Sequence, residues 1–383
     1  MPVAVEEVRS RAELAEILDL PLRLHAADPW YVPPLRALLL RRIDPGNPFF
    51  RDASLRFFRV RRGRETVGSV SLLLDEGHDR HSGQRTAFFG FFECERDPEA
   101  ARALLGAVSE RAAALGATSL RGPRNVTRVE DVGLLIEGFG SRPPLLAGHH
   151  PPYYRELIEA EGFTKRFDML AYDTPLFDAA GRRRELPEAL RRKAASVDIP
   201  GLEVRRVSFR RVSRDMELAH AVFTEAYRTV PDVVPMSSAQ FVSLGRLFVA
   251  LADRDLLQLA TVRGQPAAFA ACLPELNEAF AAARGRLLPL GWARVAWALR
   301  RVRTASFKLI GVVPAFRSMG LHARLIQHVV DGLRAAGYER LEASLIHEDN
   351  MPMRHIVESA GCALYRRYRV YERPLGQREQ VTR

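Results

Sequence analysis

The turn from Arg317 to His322 has the residue types and spacing of an anion-binding site. It follows an apolar strand-like run at 306–313 and precedes an amphipathic helix predicted over 321–336. The first amide N–H groups of such a helix have no intrahelical partner, and the helix dipole adds partial positive charge there. Gly320 permits a close approach of the backbone, and Arg317 is placed to add a charge-assisted contact. The turn is therefore predicted to hold a phosphate or pyrophosphate group.

The elements that position this turn alternate between short strand-like runs and amphipathic helices, which predicts an α/β (α+β) fold. The order of elements occurs twice along the chain. Gly162 corresponds to Gly361 with an offset of 199 residues, and Gly63 corresponds to Gly264 with an offset of 201. A single repeat of this length indicates domain duplication rather than a solenoid. We predict a first domain over 1–175, a basic linker rich in Pro and Gly over 176–200, a second domain over 201–376 and a tail over 377–383.

The composition is that of a globular protein, with 383 residues of which 47% are hydrophobic and 27% are charged. The N-terminus lacks the pattern of a secretory signal and no apolar run is long enough to cross a bilayer, so a cytoplasmic location is expected. The three cysteines are scattered, and no metal site is predicted. A net charge of +11 attracts anions, but no nucleic-acid-binding motif accompanies it, so DNA is not a predicted partner and RNA is disfavoured.

The turn and its surroundings resemble the GNAT family of N-acyltransferases. The family motif places Arg-x-x-Gly-x-Gly/Ala after a strand ending in Val-x-Pro, and this sequence matches it at Val312/Val313, Pro314, Arg317 and Gly320, with His322 in place of the last Gly or Ala. The resemblance implies two tandem GNAT-like domains, each a mixed, mostly antiparallel twisted sheet flanked by helices, and acyl-CoA as co-substrate.

A second motif of that family departs at the position of the general acid. Asn350 and Gly361 have the family spacing, but Val357 stands where the family has the tyrosine that protonates the leaving thiolate. The usual acid is therefore missing from this chain.

The first copy resembles a degenerate GNAT domain. At the place of the phosphate turn it carries acidic residues and no glycine, in the run from Phe88 to Pro98, so pyrophosphate should be repelled. One acyl-CoA site is therefore expected, in the second domain. The runs NPFF at 47–50, FFGFFE at 88–93, GPRN at 122–125 and HHPPYY at 149–154 resemble a family of tandem-GNAT bacterial proteins whose relatives include ceramide synthases, which acylate a long-chain base.

The resemblance implies a set of donor-site residues. Strands 306–313 and 340–346 are expected to splay apart and to expose backbone N–H groups to the thioester. The predicted acyl-CoA-binding residues are Gly311, Val312, Val313, Arg317, Ser318, Met319, Gly320, Leu321, His322 and Asn350.

Amine acylation also needs a base, a polarised carbonyl and a proton for the thiolate. Glu275 follows strand 266–273, whereas His347 and Glu348 follow strand 340–346, and these three are the candidate catalytic residues. Asn277, beside Glu275, is a candidate substrate-binding residue. The alternative for each of them is a solvated turn residue.

Polar and aromatic clusters in the first domain are candidates for acceptor binding. They comprise Asn125, His149, His150, Tyr153 and Tyr154. The alternative is a turn fixed by proline before a helix at 153–161, with the two tyrosines packed as its entry.

Residues 281–304 form an insertion relative to the first copy, and its segment 284–303 combines an apolar stripe containing Trp292 with several arginines. A basic amphipathic helix with tryptophans is typical of contact with an anionic membrane, and the alternative is a lid over an acyl tunnel.

The sequence thus predicts an acyl-CoA-dependent N-acyltransferase acting on a primary amine, with a hydrophobic or long-chain amino alcohol as the expected acceptor. An acyl carrier protein in place of CoA is left open. Two alternatives are a catalytically silent acyl-CoA sensor, which the absent tyrosine favours, and an aminoacyl-tRNA-dependent transferase, which would use the arginines to hold RNA. A peripheral position at the inner membrane face is a further expectation from 284–303.

Overall fold

The computed structural model describes residues 2–228, 234, 236–251, 253 and 256–376. They form two compact units that are not contiguous in sequence. Unit 1 contains the described residues of 1–169, 284–287 and 366–383, and unit 2 contains those of 170–283 and 288–365. The boundaries fall inside two long strands, between Met169 and Leu170 and between Tyr365 and Arg366. The predicted tail, 377–383, lies outside the described residues.

Unit 1 is built around a mixed sheet. Its strands are β1 (Val3–Glu7), β2 (Ala53–Arg62), β3 (Glu65–Asp75), β4 (Thr86–Cys94), β5 (Ser119–Gly122), β6 (Leu134–Glu137) and the first part of β7 (Thr164–Pro175). The last strand of the chain, β13 (Ala363–Pro374), pairs antiparallel with β5 and β6 through its C-terminal part. The helices are α1 (Arg11–Leu24), α2 (Arg36–Arg42), α3 (Glu76–Ser82), α4 (Pro98–Ala114) and α5 (Tyr153–Glu159).

Unit 2 repeats this plan. Its strands are β8 (Leu202–Arg206), β9 (Leu257–Val262), β10 (Gln265–Pro274), β11 (Thr304–Val312) and β12 (Arg340–His347), in that order across the sheet, followed by the end of β7. The helices are α6 (Glu188–Ala195), α7 (Val212–Tyr227), α8 (Ser238–Leu251), α9 (Leu276–Phe280), α10 (Gly291–Leu299), α11 (Leu321–Ala335) and α12 (Met351–Ser359). The predicted α/β class, with mostly antiparallel pairing, is confirmed.

Each unit contains a parallel strand pair whose hydrogen-bonded ladder is shorter than the two strands. In unit 2 the ladder joins Thr304–Phe307 of β11 to Arg340–Ala343 of β12, although the strands continue to Val312 and His347. In unit 1 the ladder joins Thr86–Phe88 of β4 to Ser119–Arg121 of β5. Beyond the end of each ladder, β11 no longer pairs with β12 and β4 no longer pairs with β5. That edge of β11 or β4 can therefore bind another group. We call the space between β11 and β12 beyond Phe307 and Ala343 the wedge of unit 2, and the corresponding space between β4 and β5 the wedge of unit 1.

Hydrophobic burial accounts for these packed layers. One face of α11 is buried, with Leu325, Val329 and Leu333 four residues apart along it. In unit 1, α4 begins at Pro98 after the N-cap Asp97 and buries Leu104, Leu105 and Val108 in the core. Among the described residues, no helix is both long and apolar enough to cross a membrane.

Candidate active site

The turn between β11 and α11 depends on glycine at Gly320. A 3-10 helix, Pro314–Met319, leads to Gly320, whose φ of 80° lies in the left-handed region. A Cβ atom at this position would lie 2.9 Å from the carbonyl oxygen of Lys193 in α6. Both the backbone conformation and the close neighbour therefore exclude a side chain here.

The first turn of α11 offers donors without competing groups. No side chain caps the helix and no acidic residue lies in its first turn. The N–H of Ala323 donates to the carbonyl of Gly320, whereas the N–H groups before it lack intrahelical acceptors because they begin the helix. Lys193 donates its Nζ to the carbonyl of Ser318 at 3.2 Å and adds positive charge beside the turn. Burial and the Lys193 charge lower the pKa of His322, which favours its neutral form. Met319 is exposed, whereas Leu321 is buried and anchors the helix.

Arg317 braces the turn from within. Its Nη2 donates to the carbonyl of Ala226 at 2.6 Å and its Nε donates to the carbonyl of Val312 at 3.3 Å. The guanidinium thus joins the turn to the end of α7 and to β11. The structure places Arg317, a predicted phosphate-binding residue, at the turn. Two of its N–H groups already donate to backbone carbonyls of the protein.

The open edge of β11 presents the backbone of alternate residues to the wedge of unit 2. Val313 donates its N–H to the carbonyl of Ala267 in β10, and Gly311 lies opposite Phe269 of β10, so the N–H groups of both point away from the wedge. Because neighbouring residues of a strand point their N–H groups in opposite directions, that of Val312 faces the wedge. Of the three predicted residues on this part of the strand, Gly311, Val312 and Val313, only Val312 therefore turns its N–H group toward the wedge.

A tyrosine that the sequence did not single out reaches the same edge. Tyr227, the last residue of α7, donates its hydroxyl to the carbonyl of Ile310 at 3.0 Å. Burial raises the pKa of Tyr227 to about 12, so its phenol stays protonated at neutral pH. Val357, at the family tyrosine position, is instead buried beside Tyr172, which donates to Glu358 at 2.7 Å. The sequence pattern alone gave no sign of Tyr227, because a tyrosine at the end of a helix has no catalytic signature of its own.

The predicted bases lie on the loops that follow β10 and β12. Glu275 is buried and caps α9 by accepting from the N–H of Asn277 at 3.1 Å. His347 is also buried, and its Nδ1 accepts from the N–H of Asp349 at 3.1 Å.

The two remaining predicted residues of this region lie at the start of α12. The carbonyl of Glu348 accepts from Arg354 at 2.9 Å. The side chain of Asn350, predicted to contact the cofactor, caps α12 by accepting from the N–H of Met353 at 3.4 Å.

The wedge of unit 1 is filled by the chain itself. A Cβ atom on Gly90 would lie 2.2 Å from the carbonyl oxygen of Arg124, because the segment after β5 passes over β4. Asn125 accepts from the N–H of Phe91 at 2.7 Å, and Arg124 donates its N–H to Phe89 at 2.8 Å. Asn125, predicted to bind the acceptor, therefore occupies the strand edge that remains open in unit 2.

The four aromatic residues predicted with Asn125 are largely engaged inside unit 1. Tyr154 is fully buried and donates to Glu93 at 2.7 Å, while Tyr153 donates to the carbonyl of Cys94 at 2.8 Å. His150 accepts from the N–H of Leu135 at 3.2 Å, and burial lowers the pKa of His150 to about 3.

His149 differs from these three residues because one of its polar atoms is buried without a hydrogen-bond partner within the described residues. Its Nε2 lies 2.8 Å from Oδ2 of Asp28, and burial lowers the pKa of His149. Its Nδ1 is buried and has no hydrogen-bond partner within the described residues. With Asp28 accepting from Nε2–H, Nδ1 is left as an acceptor for an N–H or O–H group. The carboxylates Asp28 and Glu93 were not predicted as site residues. Glu93 ends the aromatic run 88–93, and Asp28 precedes Pro29 and Trp30.

The insertion forms a helix with exposed tryptophans. In α10 and the loop before it, Trp292 is 58% exposed, Trp297 is 56% exposed and Leu288 is 80% exposed. Arg301 stacks over the ring of Trp297, with its guanidinium 3.5 Å from the ring centroid. Val295 in the same helix is buried.

Two relatives align with nearly the whole chain. A bacterial ceramide synthase from Caulobacter vibrioides is 31% identical over 381 residues, which cover 97% of this chain and 98% of the relative. Protein YghO from Escherichia coli is 28% identical over 374 residues, which cover 96% of this chain and 94% of that protein. No protein-family model matches the chain.

Solved structures with the same fold include tandem GNAT proteins. A tandem GNAT protein of the clavulanic acid biosynthesis pathway superimposes with a TM-score of 0.59 at 16% identity, covering 98% of this chain and all of that one. A GCN5-related N-acetyltransferase from Sphaerobacter thermophilus gives a TM-score of 0.53 at 14% identity, covering 97% of this chain and 96% of the other. The predicted tandem GNAT architecture is thereby confirmed.

Proposed function

This chain belongs to the GNAT acyltransferase family, in the branch that contains the bacterial ceramide synthase, and on that premise we propose that it transfers an acyl group from acyl-CoA to a hydrophobic primary amine. The relative's name supports a long-chain amino alcohol as the acceptor. The observation that carries the proposal is the uncapped start of α11 behind Gly320, at the end of a strand whose edge opens into a wedge.

The residues of unit 2 would hold the donor in a defined order. The first N–H groups of α11 would bind the pyrophosphate, with Lys193 beside them, and the extended pantetheine arm would follow the edge of β11. The N–H of Val312 would bond an amide carbonyl of that arm. The phenol of Tyr227 stands at the same edge and is protonated at neutral pH, so it could donate to the thiolate as it leaves.

One donor site per chain is part of the proposal. Asn125 and Arg124 occupy the strand edge in unit 1. In addition, Asp97 accepts from the N–H groups of Glu99 and Ala100 at the start of α4. A carboxylate thus sits where a pyrophosphate would need to bind, which supports restriction of acyl-CoA to unit 2.

The silent sensor is the second candidate, because Val357 supplies no phenol. Release of free thiol from palmitoyl-CoA separates the two functions. An enzyme releases thiol at a rate that depends on an added long-chain amine such as sphinganine, whereas a sensor binds palmitoyl-CoA and leaves it intact.

The acceptor headgroup is proposed to contact His149, since Nδ1 of this residue is the buried acceptor without a partner. In His149→Ala, loss of one hydrogen bond would cost on the order of 1–3 kcal/mol, so we expect kcat/KM for sphinganine to fall roughly ten- to hundredfold. The dissociation constant of palmitoyl-CoA should not change. Steady-state kinetics and calorimetry measure the two effects, and the exposed His81→Ala serves as control. Normal kcat/KM in a folded His149→Ala would remove this residue from the acceptor site.

The exposed helix α10 is proposed to contact an anionic lipid surface. Each basic side chain near such a surface contributes about 1 kcal/mol, so replacing Arg294, Arg300 and Arg301 by Glu should weaken binding to phosphatidylglycerol vesicles roughly hundredfold or more. Vesicle co-sedimentation measures this. A matched variant replaces three exposed arginines of unit 1, Arg96, Arg102 and Arg155, by Glu and should sediment almost normally. Equal sedimentation of both variants would favour the lid over the membrane.

A further inference from the structure

A buried polar cluster lies at the narrow end of the wedge in unit 2. It consists of Ser306 and Lys308 on β11 with Glu342 and Ser344 on β12. Ser306 and Glu342 are register partners in the short parallel ladder. Positions two residues apart on a strand share a face, so the four side chains project to the same side of the sheet.

The contacts within this cluster engage only one of the two carboxylate oxygens of Glu342. Ser306 donates its hydroxyl to Oε2 of Glu342, and Nζ of Lys308 lies 3.5 Å from the same oxygen. Lys308 also donates to Ser344 at 2.9 Å. Glu342 is 3% exposed, and its Oε1 is buried without a hydrogen-bond partner among the described residues. An unsatisfied buried oxygen of this kind costs about 1–3 kcal/mol or more, so a donor from outside the protein has a place to bind.

The position of Glu342 suits a group that acts at the end of an extended donor. The ladder ends one residue beyond it, at Phe307 and Ala343, where the strands separate. A donor anchored at Gly320 and extended along β11 would carry its thioester toward this end. Six residues separate Val312 from Ser306, a length of roughly 20 Å at the usual rise of a strand.

Unit 1 supplies an internal comparison at the same register. Its ladder begins Thr86 to Ser119 and Ala87 to Leu120, and that of unit 2 begins Thr304 to Arg340 and Ala305 to Leu341. The third pair is Phe88 to Arg121 in unit 1 and Ser306 to Glu342 in unit 2. The pair of Ser306 and Glu342 is therefore present in unit 2, where the wedge is open. It is replaced by Phe88 and Arg121 in unit 1, where the chain fills the wedge.

We infer that Glu342 is the catalytic base of the transfer reaction, with Ser306 and Lys308 as positioning residues. This inference rests on the proposed function. The acceptor loses its first proton to solvent and its nitrogen attacks the thioester carbonyl. The second N–H proton passes to Oε1 of Glu342 while the C–N bond forms. The C–S bond then breaks, the thiolate takes up a proton, and Glu342 returns its proton to solvent. The net products from an ammonium and an acyl-CoA are an amide, free CoA thiol and one proton.

The test uses the full-length chain with palmitoyl-CoA and sphinganine. Glu342→Gln keeps the side-chain volume and an acceptor for Ser306, so we expect a folded protein with unchanged palmitoyl-CoA affinity and kcat at least a hundredfold lower. The loss in Glu342→Gln should fall on kcat, with the KM for sphinganine unchanged. Ser306→Ala removes only one anchor of the carboxylate and should lower kcat about tenfold, also with the KM for sphinganine unchanged.

A buried carboxylate elsewhere in unit 2 serves as the control. Asp215 forms an ion pair with Arg205 at 2.6 Å, and Asp215→Asn should lose stability but keep kcat. If Glu342→Gln behaves like Asp215→Asn, with kcat within threefold of the wild type, Glu342 is structural and the inference is wrong. Failure of the wild type to acylate sphinganine would be seen before any substitution, and it would overturn the proposed function and this inference together.

Discussion

Palmitoyl-CoA binding is expected to be lost when Gly320 is replaced by Asp. An L-residue in the left-handed region costs about 1–2 kcal/mol, and the new Cβ atom meets the Lys193 carbonyl at 2.9 Å. The added carboxylate also lies where the start of α11 would receive a pyrophosphate, so two negative groups would compete for the same donors. We expect the dissociation constant, measured by isothermal titration, to rise at least a hundredfold.

The opposite end of the same helix offers a matched control. Gly337 follows α11 with a φ of 82°, and a Cβ atom there would meet no other atom within 4 Å. Gly337→Asp therefore introduces the same charge and a similar backbone strain away from the turn. It should lose less thermal stability than Gly320→Asp, because no neighbouring atom is displaced, and it should bind palmitoyl-CoA normally. Equal affinities of the two variants would place the donor elsewhere.

Removal of the Asp75 carboxylate is expected to destabilise unit 1 strongly. Asp75 pairs with the buried guanidinium of Arg124 at 2.5 Å and also caps α3 by accepting from the N–H of His78. In Asp75→Ala the Arg124 charge stays buried without its partner, which typically costs about 3–5 kcal/mol. Because Arg124 belongs to the segment that fills the wedge of unit 1, this change should loosen that segment.

Thermal denaturation and chemical unfolding measure this loss. For a unit of this size, about 3–5 kcal/mol corresponds to a decrease of roughly 6–20 °C in Tm. An exposed pair of unit 1, Arg96 and Glu156, serves as control, and Glu156→Ala should change stability by less than about 1 kcal/mol. Similar Tm values for Asp75→Ala and the wild type would show that the pair contributes little.

The elements around the turn were predictable because their patterns are local. The strand expected at 306–313 is found at Thr304–Val312, and the helix expected at 321–336 is found at Leu321–Ala335. Periodicity, a single glycine and the end of an apolar run suffice to place such elements. The fold class followed from the same alternation, repeated along the chain.

Features that depend on contacts distant in sequence were not predictable. The residues of β13 after Tyr365 belong to unit 1, although they end the second copy of the repeat. Nothing in the linker sequence indicated that Lys193 would lie against Gly320. Both features depend on which surfaces pack together after folding. The hydrophobic period of one segment does not identify the segment against which it packs.

The candidate site likewise contains residues that could be predicted from local pattern and residues that could not. The turn residues were found because helix starts have a sequence signature, whereas Glu342 was missed because a polar residue within a strand usually indicates a solvent-facing position. In the structure that position is buried opposite Ser306. The signal that could have identified it is the coincidence of Ser306 and Lys308 with Glu342 and Ser344 on two successive strands.

The most direct test of N-acyl transfer is the identity of the product. The purified full-length chain is incubated with palmitoyl-CoA labelled in the acyl chain and with sphinganine, and lipids are analysed by mass spectrometry while free thiol is counted. The account predicts labelled N-palmitoyl-sphinganine, formed with one thiol per amide and absent from Gly320→Asp. Tight binding of palmitoyl-CoA with no amide and no amine-dependent thiol across a panel of long-chain amines would contradict it.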